Sequence, residues 1–172
     1  MALSGKTKTL YLVCDVSGSM GEGGKNMLMR GIARAVEQYV RLDYGAVDIK
    51  LVLWNTDATV VQWNPDDEFP DQLLRCEGSA NAAALCEVLG SQLGGNILIL
   101  TDGWWSIDDA SCLKKWKRTL QSNTLRIIKI GADANPLLTK NDVFSGDDLL
   151  AALDGWLPQA DAVTSNEDAD EW

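Results

Sequence analysis

The sequence predicts a three-layer α/β fold in which a doubly wound, mostly parallel sheet with one antiparallel edge strand lies between helices. Short apolar runs alternate along the chain with stretches whose apolar residues recur at helical spacing. The runs are almost continuously apolar, which is typical of strands covered on both faces. Two of them are separated only by Asn55, Thr56 and Asp57, and so short a connection permits only an antiparallel hairpin.

Six strands and four helices follow from these patterns. The predicted strands are residues 9–16, 47–54, 58–63, 96–101, 125–130 and 143–144. The predicted helices are residues 25–44, residues 81–93, one that begins at Ser106 and one that begins at Ser145. Each of these two serines is followed three residues later by an aspartate, the capping-box pattern that begins helices.

The helical stripes identify the side chains expected to be buried. In the first helix they are Leu28, Ile32, Val36 and Tyr39, and in the second Leu85, Leu89 and Leu93. Residues 64–78 are acidic and contain two prolines, which indicates a long surface loop with one helical turn at residues 72–75.

Composition excludes several classes of function. The 172 residues contain no histidine, which excludes a Ser-His-Asp triad, a Cys-His pair and histidine zinc ligation. With 25 acidic and 15 basic side chains the net charge is −10, which argues against binding nucleic acid or an anionic membrane. We expect one domain over residues 1–158 and an acidic, disordered tail over residues 159–172, where five acids occur with no base.

The termini and the cysteines bear on the compartment. No secretory signal and no membrane-spanning run is visible. Four cysteines, Cys14, Cys76, Cys86 and Cys112, lack the paired spacing of metal ligands. We interpret them as reduced, mostly buried thiols of a cytoplasmic protein.

Oxygen-bearing side chains follow the ends of two predicted strands. Asp15, Ser17 and Ser19 alternate after the first strand, so in an extended loop all three can point the same way. Asp102 ends the fourth strand on the same edge of the sheet, and Ser79 lies just before the second helix. Two carboxylates and three hydroxyls form a hard oxygen site suited to Mg²⁺, with Mn²⁺ or Ca²⁺ as competitors.

These residues resemble a known family. The segments Asp-Val-Ser-Gly-Ser at 15–19, Thr-Asp-Gly at 101–103 and Gly-Ser-Ala-Asn at 78–81 are similar to the three loops of a von Willebrand factor A domain with a metal-ion-dependent adhesion site. The resemblance covers roughly residues 7 to 157 and implies a Rossmann-like fold. It also implies a non-enzymatic module whose Mg²⁺ engages an aspartate or glutamate of a partner protein. Ser79 stands where the family usually has threonine.

The resemblance carries further implications about ligands and partners. The implied metal ligands are Asp15, Ser17, Ser19, Ser79 and Asp102. Stand-alone prokaryotic relatives often work beside an AAA-type ATPase or other multi-protein machinery. Trp104 and Trp105 follow Asp102 after a single glycine, so they are candidates both for partner contact and for packing beneath the loop.

An enzymatic alternative stays open at this point. Haloacid dehalogenase-like phosphotransferases also place an aspartate, here Asp15, at the end of the first strand and hold Mg²⁺ with further acids. Their pattern requires a second aspartate two residues on, where this chain has Ser17. A phosphate-binding loop ending at Lys25 is disfavoured because Ser19 and Asn26 break its pattern.

Overall fold

The computed structural model describes residues 7–91 and 94–157, and within them one six-stranded sheet runs through the centre. The strands are β1 Lys8–Asp15, β2 Val47–Trp54, β3 Ala58–Val61, β4 Asn96–Thr101, β5 Leu125–Lys129 and β6 Val143–Ser145. Their order is β3-β2-β1-β4-β5-β6, and only the β2–β3 hairpin at one edge is antiparallel. The predicted fold class is therefore confirmed. The predicted tail, residues 159–172, lies outside the described residues.

In the described residues, four α-helices cover the two faces of the sheet. They are α1 Lys25–Tyr44, α2 Ala82–Leu89, α3 Ile107–Thr119 and α4 Leu149–Leu153. Alternate residues of β1 enter opposite layers: Leu12 and Cys14 pack with α1 and α4, whereas Val13 packs with α2 and α3. This double burial explains why the central strands are almost continuously apolar. Within the described part of the chain, no helix combines the length and apolar character needed to cross a membrane.

The helix α1 has the predicted bounds but a different buried stripe. Leu28 is 49% exposed, whereas Met29, one position further along, is fully buried together with Val36 and Val40. Successive helical residues differ by about 100° around the axis, so the stripe that includes Met29 turns Leu28 towards solvent. The predicted burial of Leu28 was wrong, and that of Ile32 and Val36 is confirmed.

Two helices are shorter than predicted. Helix α2 ends at Leu89 because Gly90 adopts a positive φ of 66° and its N–H caps the carbonyl of Cys86; the predicted residue Leu93 lies outside the described residues. The last helix does not begin at Ser145, because the backbone of Ser145 pairs with Lys129 in the sheet. A short 3-10 turn, Gly146–Asp148, separates it from α4.

The helix start predicted at Ser106 is confirmed, unlike the one at Ser145. The Ser106 hydroxyl accepts a hydrogen bond from the Asp109 N–H (3.0 Å) and donates to its carboxylate (2.5 Å). The Asn81 side chain accepts a bond from the Ala84 N–H (3.4 Å) and caps α2. Asp109 also accepts a bond from the Ala82 N–H (2.9 Å), so the starts of α2 and α3 are held together.

All four cysteines are free thiols. Cys14 is fully buried in β1, and the Sγ atoms of Cys86 and Cys112 lie 3.9 Å apart between α2 and α3. Burial raises the pKa of Cys76 to about 11 and that of Cys86 to about 12. Thiols with such pKa values stay protonated and poorly nucleophilic near neutral pH.

One buried hydroxyl connects α1 to the end of the described chain. The Tyr44 hydroxyl donates to the carbonyl of Leu153 and accepts from the N–H of Trp156 (3.0 Å). Both backbone groups are buried, so they have no water to replace Tyr44. The contact fixes α4 against α1.

We expect the variant Tyr44→Phe to be less stable by about 1–2 kcal/mol, because it removes two buried hydrogen bonds. The Leu153 carbonyl and the Trp156 N–H then keep only the bond between them (3.2 Å). Urea denaturation measures the change in the free energy of unfolding. Tyr11→Phe is the matched control, since the Tyr11 hydroxyl forms no hydrogen bond with the residues that the structure describes. Equal losses in the two variants would contradict the assigned role of Tyr44.

Candidate functional site

The two candidate carboxylates lie at the point where the order of the strands reverses. Strand β1 is flanked by β2 on one side and β4 on the other, and all three run parallel. Cys14 is in register with Leu100, so the next residues, Asp15 and Thr101, end neighbouring strands at one edge. Ligands of such sheets bind outside the carboxyl ends of the strands at this crevice.

Asp15 is the most constrained side chain of the site. It is fully buried, its Oδ1 accepts a bond from the Ser17 N–H (2.9 Å), and its Oδ2 accepts one from the Thr101 hydroxyl (2.6 Å). The Thr101 oxygen in turn accepts a bond from the Gly103 N–H (3.0 Å). These bonds tie the first site loop to the loop after β4.

The surroundings of Asp15 shift its pKa in opposite directions. Burial raises the pKa of Asp15 above its usual range, and hydrogen bonds from Ser17 and Thr101 act against that rise. The nearby charge of Asp102 adds to the rise. The ionised form of Asp15 is therefore held by two neutral residues while a second carboxylate repels it.

The two serines of the first loop converge. After β1 the chain makes a 3-10 turn over Gly18–Gly21, which is anchored by the fully buried Met20. Ser17 is buried, Ser19 is half-buried, and their Oγ atoms lie 3.5 Å apart. This is the predicted arrangement of alternate hydroxyls on one side of the loop.

The loop before α2 lies against the first loop. The Gly18 N–H donates to the Gly78 carbonyl (2.8 Å). Gly78 has a φ of +73°, and a Cβ there would lie 2.5 Å from the Thr56 hydroxyl oxygen, so this close approach requires glycine. Ser79 follows directly and is exposed. Its hydroxyl forms no hydrogen bond with the described residues, so Ser79 is near the serine loop but not fixed to it.

Asp102 is fully buried and is paired with a lysine. Its Oδ1 accepts a bond from the Trp104 N–H (3.2 Å), and its Oδ2 accepts one from the Lys25 ammonium (3.0 Å). Lys25 is only 3% exposed and also donates to Asp133 (3.1 Å). Burial alone would lower the pKa of Lys25, but its bonds to both aspartates outweigh that and raise it.

The backbone makes room for this buried ammonium. A Cβ at position 131 would lie 2.7 Å from Cδ of Lys25, and Gly131 has a φ of +95°. Only glycine leaves a channel for the lysine stem at this position. The ion pair is therefore part of the local packing and not a surface contact.

Sequence reasoning did not identify Lys25, Asp133 or Thr101 as site residues. Lys25 does carry a signal: it begins α1, whose first turn contains no acidic residue, and a cation is disfavoured at the positive end of a helix. A lysine at that position therefore indicates a carboxylate nearby. Thr101 belongs to the Thr-Asp-Gly segment that carries the resemblance, and no comparable sequence signal distinguishes Asp133.

Trp104 and Trp105 differ in their exposure and in their contacts. Trp104 is 52% exposed, and its Nε1 donates to the Asp133 carbonyl (2.8 Å). Trp105 is half-buried against Trp54, with ring centroids 6.1 Å apart. Trp104 therefore presents an aromatic surface beside Asp102, whereas Trp105 packs beneath the loop.

The donor set fits a hard divalent cation. Among residues 7–91 and 94–157, no three His, Cys, Asp or Glu side chains converge, so a metal here would depend on hydroxyls as well as carboxylates. Each Asp15 oxygen accepts one hydrogen bond and retains a second lone pair. The hydroxyls of Ser17 and Ser19 lie within hydrogen-bonding distance of each other, and the Ser17 side chain also acts on Asp15. Oxygen ligands of this kind suit Mg²⁺, Mn²⁺ or Ca²⁺.

No protein-family model matches the chain, and no curated protein matches it. Solved structures do match. The manganese-loaded TRAP protein of Plasmodium vivax has a TM-score of 0.59 and 17% identity, over 86% of this chain and 72% of that chain.

Two further structures share the same architecture. An aerotolerance-related membrane protein from Bacteroides fragilis has a TM-score of 0.51 and 18% identity, over 78% of this chain and 75% of that chain. Proximal thread matrix protein 1 of the mussel byssus, with a zinc-occupied MIDAS motif, has a TM-score of 0.53 and 13% identity, over 85% of this chain and 44% of that chain. At these identities the likeness is one of fold. The chain has a von Willebrand factor A-type fold.

Proposed function

We propose that this chain is a metal-dependent protein-binding module. A divalent cation, with Mg²⁺ the first choice, is held by Asp15, Ser17, Ser19, Ser79 and Asp102. The observation that carries the proposal is the convergence of two buried carboxylates and two adjacent serine hydroxyls at the strand switch point. The zinc-occupied MIDAS motif and the manganese-loaded protein among the structural matches support it.

The hydrogen bonds indicate which residues would contact the cation directly and which would contact it through water. Ser17 and Ser19 have free lone pairs and are suited to direct contact with the cation. Asp15 and Asp102 already accept bonds on both oxygens, so they are suited to holding metal-bound water. Neutral direct ligands leave the cation electrophilic, and it would then accept a carboxylate oxygen from an aspartate or glutamate of the partner.

The surroundings of the site supply a contact surface for that partner. Trp104 is exposed beside Asp102, and an aromatic side chain next to a desolvated charge pair is a common centre of binding energy. We further propose that the partner belongs to an intracellular multi-protein system, such as an AAA-type ATPase complex in the cytoplasm of a prokaryote.

The phosphotransferase alternative receives less support. A nucleophilic Asp15 would have to reach a phosphate, but this side chain is fully buried with both oxygens hydrogen-bonded. Ser17 stands where that mechanism needs an acid to protonate the leaving group. The von Willebrand factor A-type fold also favours an interaction module.

We expect the purified chain to bind Mg²⁺ and Mn²⁺ in a calorimetric titration. Ser17→Ala and Asp15→Asn should each weaken this binding at least about tenfold, or about 1.4 kcal/mol. Glutarate added to the Mn²⁺-loaded chain should lower the water-proton relaxation enhancement, because its carboxylate displaces metal-bound water. The matched control Asp57→Asn changes an exposed aspartate of the β2–β3 turn.

Three results would change this proposal in different ways. Affinity that is unchanged in Ser17→Ala and Asp15→Asn would overturn the site. Metal binding without any response to glutarate would retain the site and remove the carboxylate-binding mechanism. Turnover of p-nitrophenyl phosphate that disappears in Asp15→Asn would favour the phosphotransferase.

A second prediction concerns Lys25, whose ammonium occupies one oxygen of Asp102. A cation at that position competes with a metal ion for the same carboxylate. We therefore expect Lys25→Met to tighten Mg²⁺ binding by roughly tenfold, about 1.4 kcal/mol, in the same titration. Lys50→Met, which changes an exposed lysine of β2, should leave the affinity unchanged.

The opposite result has a clear meaning. If Lys25→Met weakens Mg²⁺ binding while the thermal unfolding of the variant stays cooperative, Lys25 positions Asp102 for the metal and does not compete with it.

A further inference from the structure

A largely apolar cavity of about 340 Å³ lies between α3 and the residues that follow β5. Its floor includes Ile99, Leu113 and Ile127. Leu137 lies at its rim and is 87% exposed, an unusual exposure for a leucine beside an apolar cavity. Leu137 and the cavity floor together form an apolar surface with no cover among the described residues.

The rim of this cavity is positively charged. Three exposed lysines line it, Lys114, Lys117 and Lys140. Lys117 forms an ion pair with Asp142, which also lines the cavity. Within the described part of the chain, Lys114 and Lys140 form no ion pair. An occupant that combines acidic groups with an apolar or aromatic side chain would match both rim and floor.

The described chain ends on the other face of the sheet, where Trp156 and Leu157 pack in the layer of α1 and α4. The Trp156 Nε1 donates to the Asn123 carbonyl (2.7 Å). Asn123 lines a second, more polar cavity of about 430 Å³, which shares Lys117 and Lys140 with the first. The polar cavity therefore lies between Asn123 and the apolar cavity, and the segment that follows Trp156 has to pass around the start of β5 to reach it.

The residues beyond this point have the complementary composition. Residues 158–172 contain five acids, no base and one aromatic residue, Trp172. Fifteen residues span up to about 50 Å when extended, which is ample for a path that begins at Asn123. A tryptophan side chain buries roughly 150–250 Å² when it enters an apolar pocket.

We propose that the acidic segment 159–172 docks on its own domain, with Trp172 in the apolar cavity and its carboxylates on Lys114, Lys117 and Lys140. Three observations carry the inference: the apolar floor, the lysine rim and the contact of Trp156 with Asn123 at the neighbouring polar cavity. Gly103 and Trp105 of the loop after Asp102 also line the cavity. The docked segment contacts the loop that carries part of the candidate metal site.

Carbodiimide cross-linking of the dilute 172-residue chain tests this contact, because the reagent joins an amine to a carboxylate only when the two touch. Peptide mass spectrometry of the monomer band then locates the links. The yield of links to the acids between Asp161 and Glu171 should be at least about fivefold higher at Lys114, Lys117 and Lys140 than at Lys115. The reason is that the tethered segment has a millimolar effective concentration at its docking site. Lys115 is the matched reference, since it is exposed on the same helix without lining either cavity.

The variant Trp172→Ala distinguishes docking from charge attraction alone. It keeps every acid and lysine, so links that fall several-fold show that the indole holds the segment in place. Links that are unchanged in Trp172→Ala would overturn the cavity assignment. Links found only in the dimer band, or equal links at Lys115, would overturn docking within one chain.

Discussion

The arrangement of the site depends on the burial of the Asp15 carboxylate at the end of the central strand. Removing an ionised group from water is costly unless hydrogen bonds replace the lost hydration. Here the Ser17 N–H and the Thr101 hydroxyl supply those bonds, and Thr101 belongs to the neighbouring strand. The same two bonds that stabilise the charge therefore set the path of the serine loop and its distance from Asp102.

The charges around Asp15 explain why a cation suits this edge of the sheet. Asp15 and Asp102 are both fully buried. Of these two carboxylates, the ammonium of Lys25 pairs with that of Asp102. Asp15 has only neutral hydrogen-bond donors and lies near the negative charge of Asp102. Burial and this charge both raise the pKa of Asp15. A divalent ion beside Ser17 would remove that repulsion and would compete with Lys25 for Asp102.

Much of the fold and the core of the candidate site could be predicted because they depend on local patterns. Continuous apolar runs marked the central strands, a three-residue link marked the β2–β3 hairpin, and Ser106 marked a helix start. Asp15 and Asp102 could be placed together because parallel strands end at one edge. What could not be predicted depends on contacts between distant segments. Lys25 reaches Asp102 only through the channel left by Gly131, and Ser145 is extended because it pairs with Lys129.

The most direct test of the account is the position of the metal itself. Crystals of the chain grown with Mn²⁺ would give an anomalous difference peak at the manganese edge. If the serine loop holds the metal, one strong peak lies at roughly 2–2.5 Å from the Oγ atoms of Ser17 and Ser19, the range of hard-cation contacts with oxygen. A peak at other residues, or serine oxygens without a peak in crystals that bind manganese elsewhere, would contradict it.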